Sequence, residues 1–132
     1  MSSFTDYTEN LVLTWLLTTG SATRPTAWYV GLFTAAPSDT GGGTEVSGNA
    51  YARVVTGTIT VSGTSPTNAT NAAAIEFAAA SGGNWGSIGW AGIFDASTTG
   101  NLLAWAPLST ARTINNGDVL RIPAASLSIT LA

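Results

Sequence analysis

From Arg24 onward the chain keeps no helical period. Apolar residues recur at every second position instead, most clearly where Leu127, Ile129 and Leu131 alternate with Ser126, Ser128 and Thr130. Successive side chains of an extended strand point to opposite faces, so this pattern requires a strand with one face buried. A second period of two sets Thr56, Thr58 and Thr60 against Val55, Ile59 and Val61. Between such runs stand clusters of Gly, Pro, Asn and Ser at 36–39, 41–43, 63–71, 82–84, 98–100 and 115–118. The spacing predicts strands at 27–34, 51–61, 72–78, 87–95, 102–108, 119–122 and 126–131. Asn116-Gly117 reads as a hairpin turn, because a type I′ turn needs positive φ at both central residues.

These runs imply an all-β chain: a jelly-roll-like or Greek-key β-sandwich of about seven to eight short strands. No internal repeat and no linker interrupts it, so residues 1–132 read as a single domain with its sheet region at 24–132. Ahead of the sheet region, Asp6 and Glu9 have the spacing of a capping box. Tyr7, Leu11 and Trp15 then follow at i, i+4 and i+8, with Val12 and Leu16 beside them and Gly20 as a stop. We expect an amphipathic helix over 6–19 whose apolar face covers an end or open edge of the sheet, with docking of a partner as the alternative.

Composition narrows the chemistry. The chain has no Cys, no His, no Lys and no Gln. Disulfides, thiolate nucleophiles and Cys or His metal clusters are therefore excluded, as are a Ser-His-Asp triad, a P-loop lysine and a Schiff base. The four cations, Arg24, Arg53, Arg112 and Arg121, face seven carboxylates, for a net charge of −3. A phosphate backbone needs clustered positive charge, so nucleic acid is not an expected partner. The apolar stretch 11–17 is broken by Thr14 and falls far short of the ~20 residues that cross a bilayer. With no basic residue before Arg24, the N-terminus lacks the pattern of a signal peptide, and no membrane partner is expected.

Asp39-Thr40-Gly41 matches the Asp-Thr-Gly triplet of aspartic proteases, in which two such aspartates share a proton. In those enzymes the triplet follows a hydrophobic strand, whereas here Ala36-Pro37-Ser38 precedes it and two more glycines follow. A loop tip is the simpler reading, and no enzymatic activity is expected. Asp95 with the hydroxyls after it supplies too little charge for a calcium loop and reads as an Asx turn. No cofactor is implied. Of the five tryptophans, Trp15, Trp28 and Trp105 are expected in the core, and Trp85, in the turn Gly82-Gly83-Asn84-Trp85-Gly86, either folds back or meets another chain.

Several segments together resemble small virion proteins of tailed bacteriophages. They are Ala27-Trp28-Tyr29-Val30-Gly31-Leu32-Phe33-Thr34-Ala35-Ala36-Pro37, Glu45-Val46-Ser47-Gly48 with Tyr51-Ala52-Arg53, and Trp85-Gly86 leading to Gly92-Ile93-Phe94-Asp95-Ala96. Gly100-Asn101-Leu102-Leu103-Ala104-Trp105, Pro107-Leu108 and Thr113-Ile114-Asn115-Asn116-Gly117-Asp118-Val119-Leu120 continue the likeness almost to the end. The shared positions are packing and turn residues, so no catalytic residue carries over. The resemblance implies a structural protein of the virion, made in the host cytoplasm. Its expected place is as a decoration or cement protein on the major capsid protein, oligomerising with copies of itself. The alternative is a tail-fibre, tip or baseplate component meeting tail proteins or the host surface. Candidate contact residues lie on the helix 6–19, the loop 37–49 and the neighbouring aromatic turns: Leu11, Pro37, Asp39, Tyr51, Arg53, Trp85 and Trp90.

Overall fold

The computed structural model describes residues 3–131. Among these it places one helix and eleven strands: β1 (Ser3–Phe4), α1 (Asp6–Leu17), β2 (Tyr29–Ala35), β3 (Thr44–Glu45), β4 (Val54–Val55) and β5 (Ile59–Ser62) come first. They are followed by β6 (Thr67–Asn71), β7 (Ile75–Glu76), β8 (Gly86–Phe94), β9 (Leu102–Ile114), β10 (Arg121–Ile122) and β11 (Ser128–Leu131). The main sheet runs β1-β9-β8-β2-β3 with β4 also on β2, and every pairing in it is antiparallel. A two-stranded sheet β10-β7 and a three-stranded sheet β11-β6-β5 accompany it. The architecture is thus all-β and sandwich-like, with an N-terminal helix.

The register of β2 on β8 separates two apolar surfaces. Val30 lies opposite Ile93 and Leu32 opposite Ala91 on one face, while Gly31 lies opposite Gly92 and Phe33 opposite Trp90 on the other. The first face, joined by Ile88 and Ile114, meets Ile75, Phe77, Trp85 and Leu120 in the main core. On the second face Phe33, Phe94 and Leu102 form a smaller cluster with Trp90 and Trp105 packed against it. The two glycines make that cluster possible. A Cβ on Gly92 would stand 2.6 Å from Leu102 Cδ1, and one on Gly31 would stand 2.8 Å from Phe94 Cε2.

Several expectations need correction. The run 51–61 is not one strand: Gly57 takes φ +67°, which divides β4 from β5. The polar segment 63–71, read as a break, contains β6, which receives both β5 and β11. What the alternation in 126–131 indicates is therefore pairing onto a Thr/Asn strand that has no apolar signature of its own. At Asn116-Gly117 only Gly117 has positive φ, the pattern of a type II turn. The backbone N–H of Asp118 closes it onto the carbonyl of Asn115 (2.9 Å). No hairpin results, because β10 pairs with β7 rather than β9.

The helix also ends and starts differently. Thr5 is its N-cap residue, but its side chain caps nothing; the hydroxyl donates instead to the Leu102 carbonyl at 2.6 Å. The helix stops at Leu17, where the Thr18 hydroxyl takes the Thr14 carbonyl (2.7 Å), so Thr18 rather than Gly20 provides the stop.

Candidate interaction surface

α1 is fastened to the sheet by its first turn. Thr5 and Thr8, both buried, donate their hydroxyls to the carbonyls of Leu102 and Leu103, at 2.6 and 2.7 Å, and the Thr5 backbone N–H also reaches Leu103. Beyond that turn the helix leaves the body. Leu11 and Thr14 are half-buried, whereas Val12, Leu13, Trp15, Leu16 and Leu17 are exposed, Trp15 at 70% and Leu17 at 72%. Trp15 is therefore not a core residue. The polar anchors hold the first turn, and the apolar side chains of the last two turns are exposed. Trp28, also expected inside, is 37% exposed, because it precedes β2 and lies outside the sheet. Trp105 is half-buried against the second cluster.

On the second face of the main sheet, Arg53 comes together with Glu45 and Phe94, and the hydroxyl of Tyr51, whose ring packs with the main core, reaches Glu45. Arg53 is held from three directions. Its Nε and Nη2 donate to the two carboxylate oxygens of Glu45 at 2.7 and 2.8 Å, and Nη1 donates to the carbonyls of Ala96 and Thr99. Only 7% of the side chain reaches solvent. Its guanidinium carbon sits 3.3 Å from the Phe94 ring centroid, and Phe94 in turn stacks on Phe33. Such a cation–π contact gains strength when desolvated. Glu45 is a member that the sequence reading passed over, although Glu45-Val46 stands within the motif that carried the resemblance.

The Tyr51 hydroxyl completes the arrangement. On the β2 edge that β3 and β4 share, neither strand pairs at Leu32; its carbonyl accepts the Val46 N–H (2.9 Å) and its own N–H donates to the Tyr51 oxygen (2.9 Å). The Tyr51 hydroxyl in turn donates a hydrogen bond to Glu45 at 2.8 Å. Burial, above all, pushes this phenol well above the ordinary tyrosine range.

Trp85 folds back. It is 6% exposed, packs edge-on against Tyr51 and Phe77, and its indole N–H donates to the Asn49 carbonyl (2.9 Å). Trp90 is half-buried beside Phe33. Pro37 is buried at the base of its loop, where Gly43 approaches it so closely that a Cβ would meet the Pro37 nitrogen at 2.8 Å. Asp39 is exposed on a turn closed by reciprocal backbone bonds between Ser38 and Gly41, and its carbonyl accepts the Asp6 N–H (2.9 Å). It lines an open cleft of about 420 Å³ with Tyr7, Thr40, Phe94 and Asn101. Asp95 does not close an Asx turn onto the residue two further on; its carboxylate instead accepts both the backbone and side-chain N–H of Asn101, six residues on, across the loop from β8 to β9. The structure thus joins Tyr51 to Arg53 through Glu45, packs Trp85 against Tyr51, brings Asp39 to the start of α1, and leaves Leu11 apart from the Tyr51 group.

The surface that stands out is therefore the distal half of α1. It is apolar, and it is held out by threonines that serve its near end. A family model described as Podophage GP4 fiber I protein gp80 matches residues 3–130. The chain belongs to that family. No curated protein matches it. Membership makes it a phage fibre-related structural protein and implies contact with other phage structural components. The match runs from β1 to β11 and so includes both the Glu45–Arg53 pair and the overhanging helix of this fibre-family chain. Among the described residues, no helix is long and apolar enough to cross a membrane.

Proposed function

We propose that this chain is a non-enzymatic subunit of a tail-associated fibre in a phage virion, built in through the apolar half of α1. The observation that carries the proposal is the exposure of five apolar side chains on the last two turns of that helix. An exposed apolar patch of more than a few hundred Å² marks an interaction site. The fibre description of the family favours the tail over the capsid shell. Asp39 supports the non-enzymatic part, since it stands on an exposed turn after a buried proline and not on a strand.

Immunogold labelling of intact virions with antibody to this chain tests the location. Gold confined to tails or tail appendages is the expected result. Hundreds of copies in a regular array over the head would replace the fibre reading with capsid decoration. Peptide cleavage near pH 5 that Asp39→Asn abolishes would overturn the non-enzymatic reading.

A further inference from the structure

Asn116-Gly117 is the one asparagine–glycine pair of the chain; the other seven asparagines precede Leu, Ala, Trp or Asn. Asparagine is a thermolabile residue, and it reacts through its own backbone. The main-chain nitrogen of the next residue attacks the side-chain carbonyl carbon, ammonia leaves, and a five-membered succinimide closes. Water then opens that ring at either carbonyl, giving aspartate or isoaspartate. A side chain on the following residue hinders the approach, and glycine has none. Both residues of the pair are exposed, so local sequence and exposure alone single out Asn116 as the position that reacts first.

The turn that carries the pair withholds the nucleophile. The Gly117 N–H donates to the Ala80 carbonyl at 2.7 Å. Its neighbours are tied as well: the Asn115 N–H to the Asp118 carboxylate (2.9 Å), the Asn116 N–H to the Asn84 side-chain oxygen (2.8 Å) and the Asp118 N–H to the Asn115 carbonyl (2.9 Å). Ala80 closes the bracket by donating its own N–H to the Asp118 carbonyl at 3.0 Å. Behind the turn, Ala80, Ile114 and Leu120 are buried in the main core, and the Trp85 N–H donates to the Ile114 carbonyl (2.9 Å). Freeing the Gly117 nitrogen therefore means parting the β9–β10 turn from residues 80–85 at the edge of that core.

We propose that Asn116 is a self-modification site gated by the fold. It keeps its amide while the turn is seated, and it converts to aspartate or isoaspartate in any chain whose turn has opened. The reaction consumes water and releases one ammonia, so no enzyme or cofactor enters, and the loss of ammonia makes it one-way. Isoaspartate adds a main-chain carbon between residues 116 and 117, which breaks the register between Gly117 and Ala80. Either product sets a second carboxylate beside that of Asp118, where like charges repel. A chain that has stayed open is thereby marked, and its turn no longer closes as before. This property is independent of the place of the chain in the virion.

A group that reacts only from an open state does so at its free rate multiplied by the open fraction. Peptide mapping by mass spectrometry of the purified full chain, held in mildly alkaline buffer with and without urea, reads both rates. In urea, Asn116 should convert ahead of the other seven asparagines. Without urea, its conversion should be slower by at least about 100-fold, because opening this edge of the core takes a free energy well above zero. Asn84→Ala removes the acceptor of the Asn116 N–H from an exposed side chain. It should raise the native rate about three- to tenfold and leave the rate in urea unchanged. Should Asn84→Ala fail to fold, hydrogen exchange of the wild-type chain gives an independent reading, since protection of the Gly117 amide depends on the same opening. A native chain that converts as fast as the unfolded one would overturn the proposal. So would an unfolded chain that keeps its Asn116 amide, a native rate indifferent to Asn84→Ala, or a freely exchanging Gly117 amide.

Discussion

The guanidinium carbon of Arg53 sits 3.3 Å from the centroid of the Phe94 ring, and the same group spans Glu45 with two hydrogen bonds. One side chain thereby ties β3, the segment before β4 and the loop after β8. Breaking a buried ion pair by removing one partner costs about 3–5 kcal/mol, because the other charge is left without compensation. Arg53→Met should lose stability within that range in urea unfolding, and Arg53→Lys should lose most of it, since an ammonium cannot make the paired contact. The double variant Arg53→Met/Glu45→Gln should recover part of the loss.

Tyr51→Phe removes the acceptor of the Leu32 N–H in a strand whose side chain at that position is fully buried. An orphaned buried donor costs about 1–3 kcal/mol. The same denaturation measurement should show that loss.

The raised Tyr51 hydroxyl also sets a pH dependence. The folded chain keeps this proton at pH values where the unfolded chain has released it, so the folded state binds more protons there and stability falls as pH rises. The stabilising contribution is complete below the unfolded value of about 10 and declines above it. Unfolding free energy followed from neutral pH to pH 11 should drop more steeply for the wild type than for Tyr51→Phe. Equal slopes would refute this assignment.

Gly92→Ala and Gly31→Ala each place a methyl group against packed atoms, at 2.6 Å from Leu102 Cδ1 in one and 2.8 Å from Phe94 Cε2 in the other. Overpacking a well-filled site costs about 1–3 kcal/mol. Thermal unfolding should place both variants below the wild type. Gly89→Ala on the same strand, where no heavy atom lies within 4 Å, should stay near the wild-type midpoint.

Thr8→Val removes one of the two side-chain hydroxyl anchors of α1. Loss of one such hydrogen bond is worth about 0.5–1.5 kcal/mol. Amide hydrogen exchange across Asp6–Leu17 should quicken, while the protected amides of β8 and β9 keep their rates.

Much of the β texture was legible because strand burial writes a period of two. The apolar run through Gly86–Phe94 and the alternation at Leu127, Ile129 and Leu131 both identify strands, but no residue of β11 is buried and Leu131 is 55% exposed, so the face expected to be buried there is not. β6 was not legible: Thr67–Asn71 has no apolar pattern, and it forms because two neighbours pair with it. The helix shows the opposite error. Tyr7, Leu11 and Trp15 have the spacing of a buried face, yet burial follows Thr5 and Thr8, whose hydroxyls find carbonyls on β9 that no local pattern reveals. In the buried Glu45–Arg53–Tyr51 network, Tyr51 and Arg53 stand out in the sequence through a motif, whereas Glu45 does not, because a lone carboxylate carries no spacing signal. The apolar half of α1 was visible as composition, and its outward placement was not.

The anchors of α1 have a consequence in time. Thr8 and Thr5 wait for carbonyls 95 and 97 residues further along the chain. At about 5–20 residues per second of synthesis, that separation alone is roughly 5–20 s. Throughout that interval the greasy end of the helix is already outside the ribosome and has no sheet to hang from. Its first encounters are with the crowded surroundings of a polysome, where sister chains from the same message are close at hand.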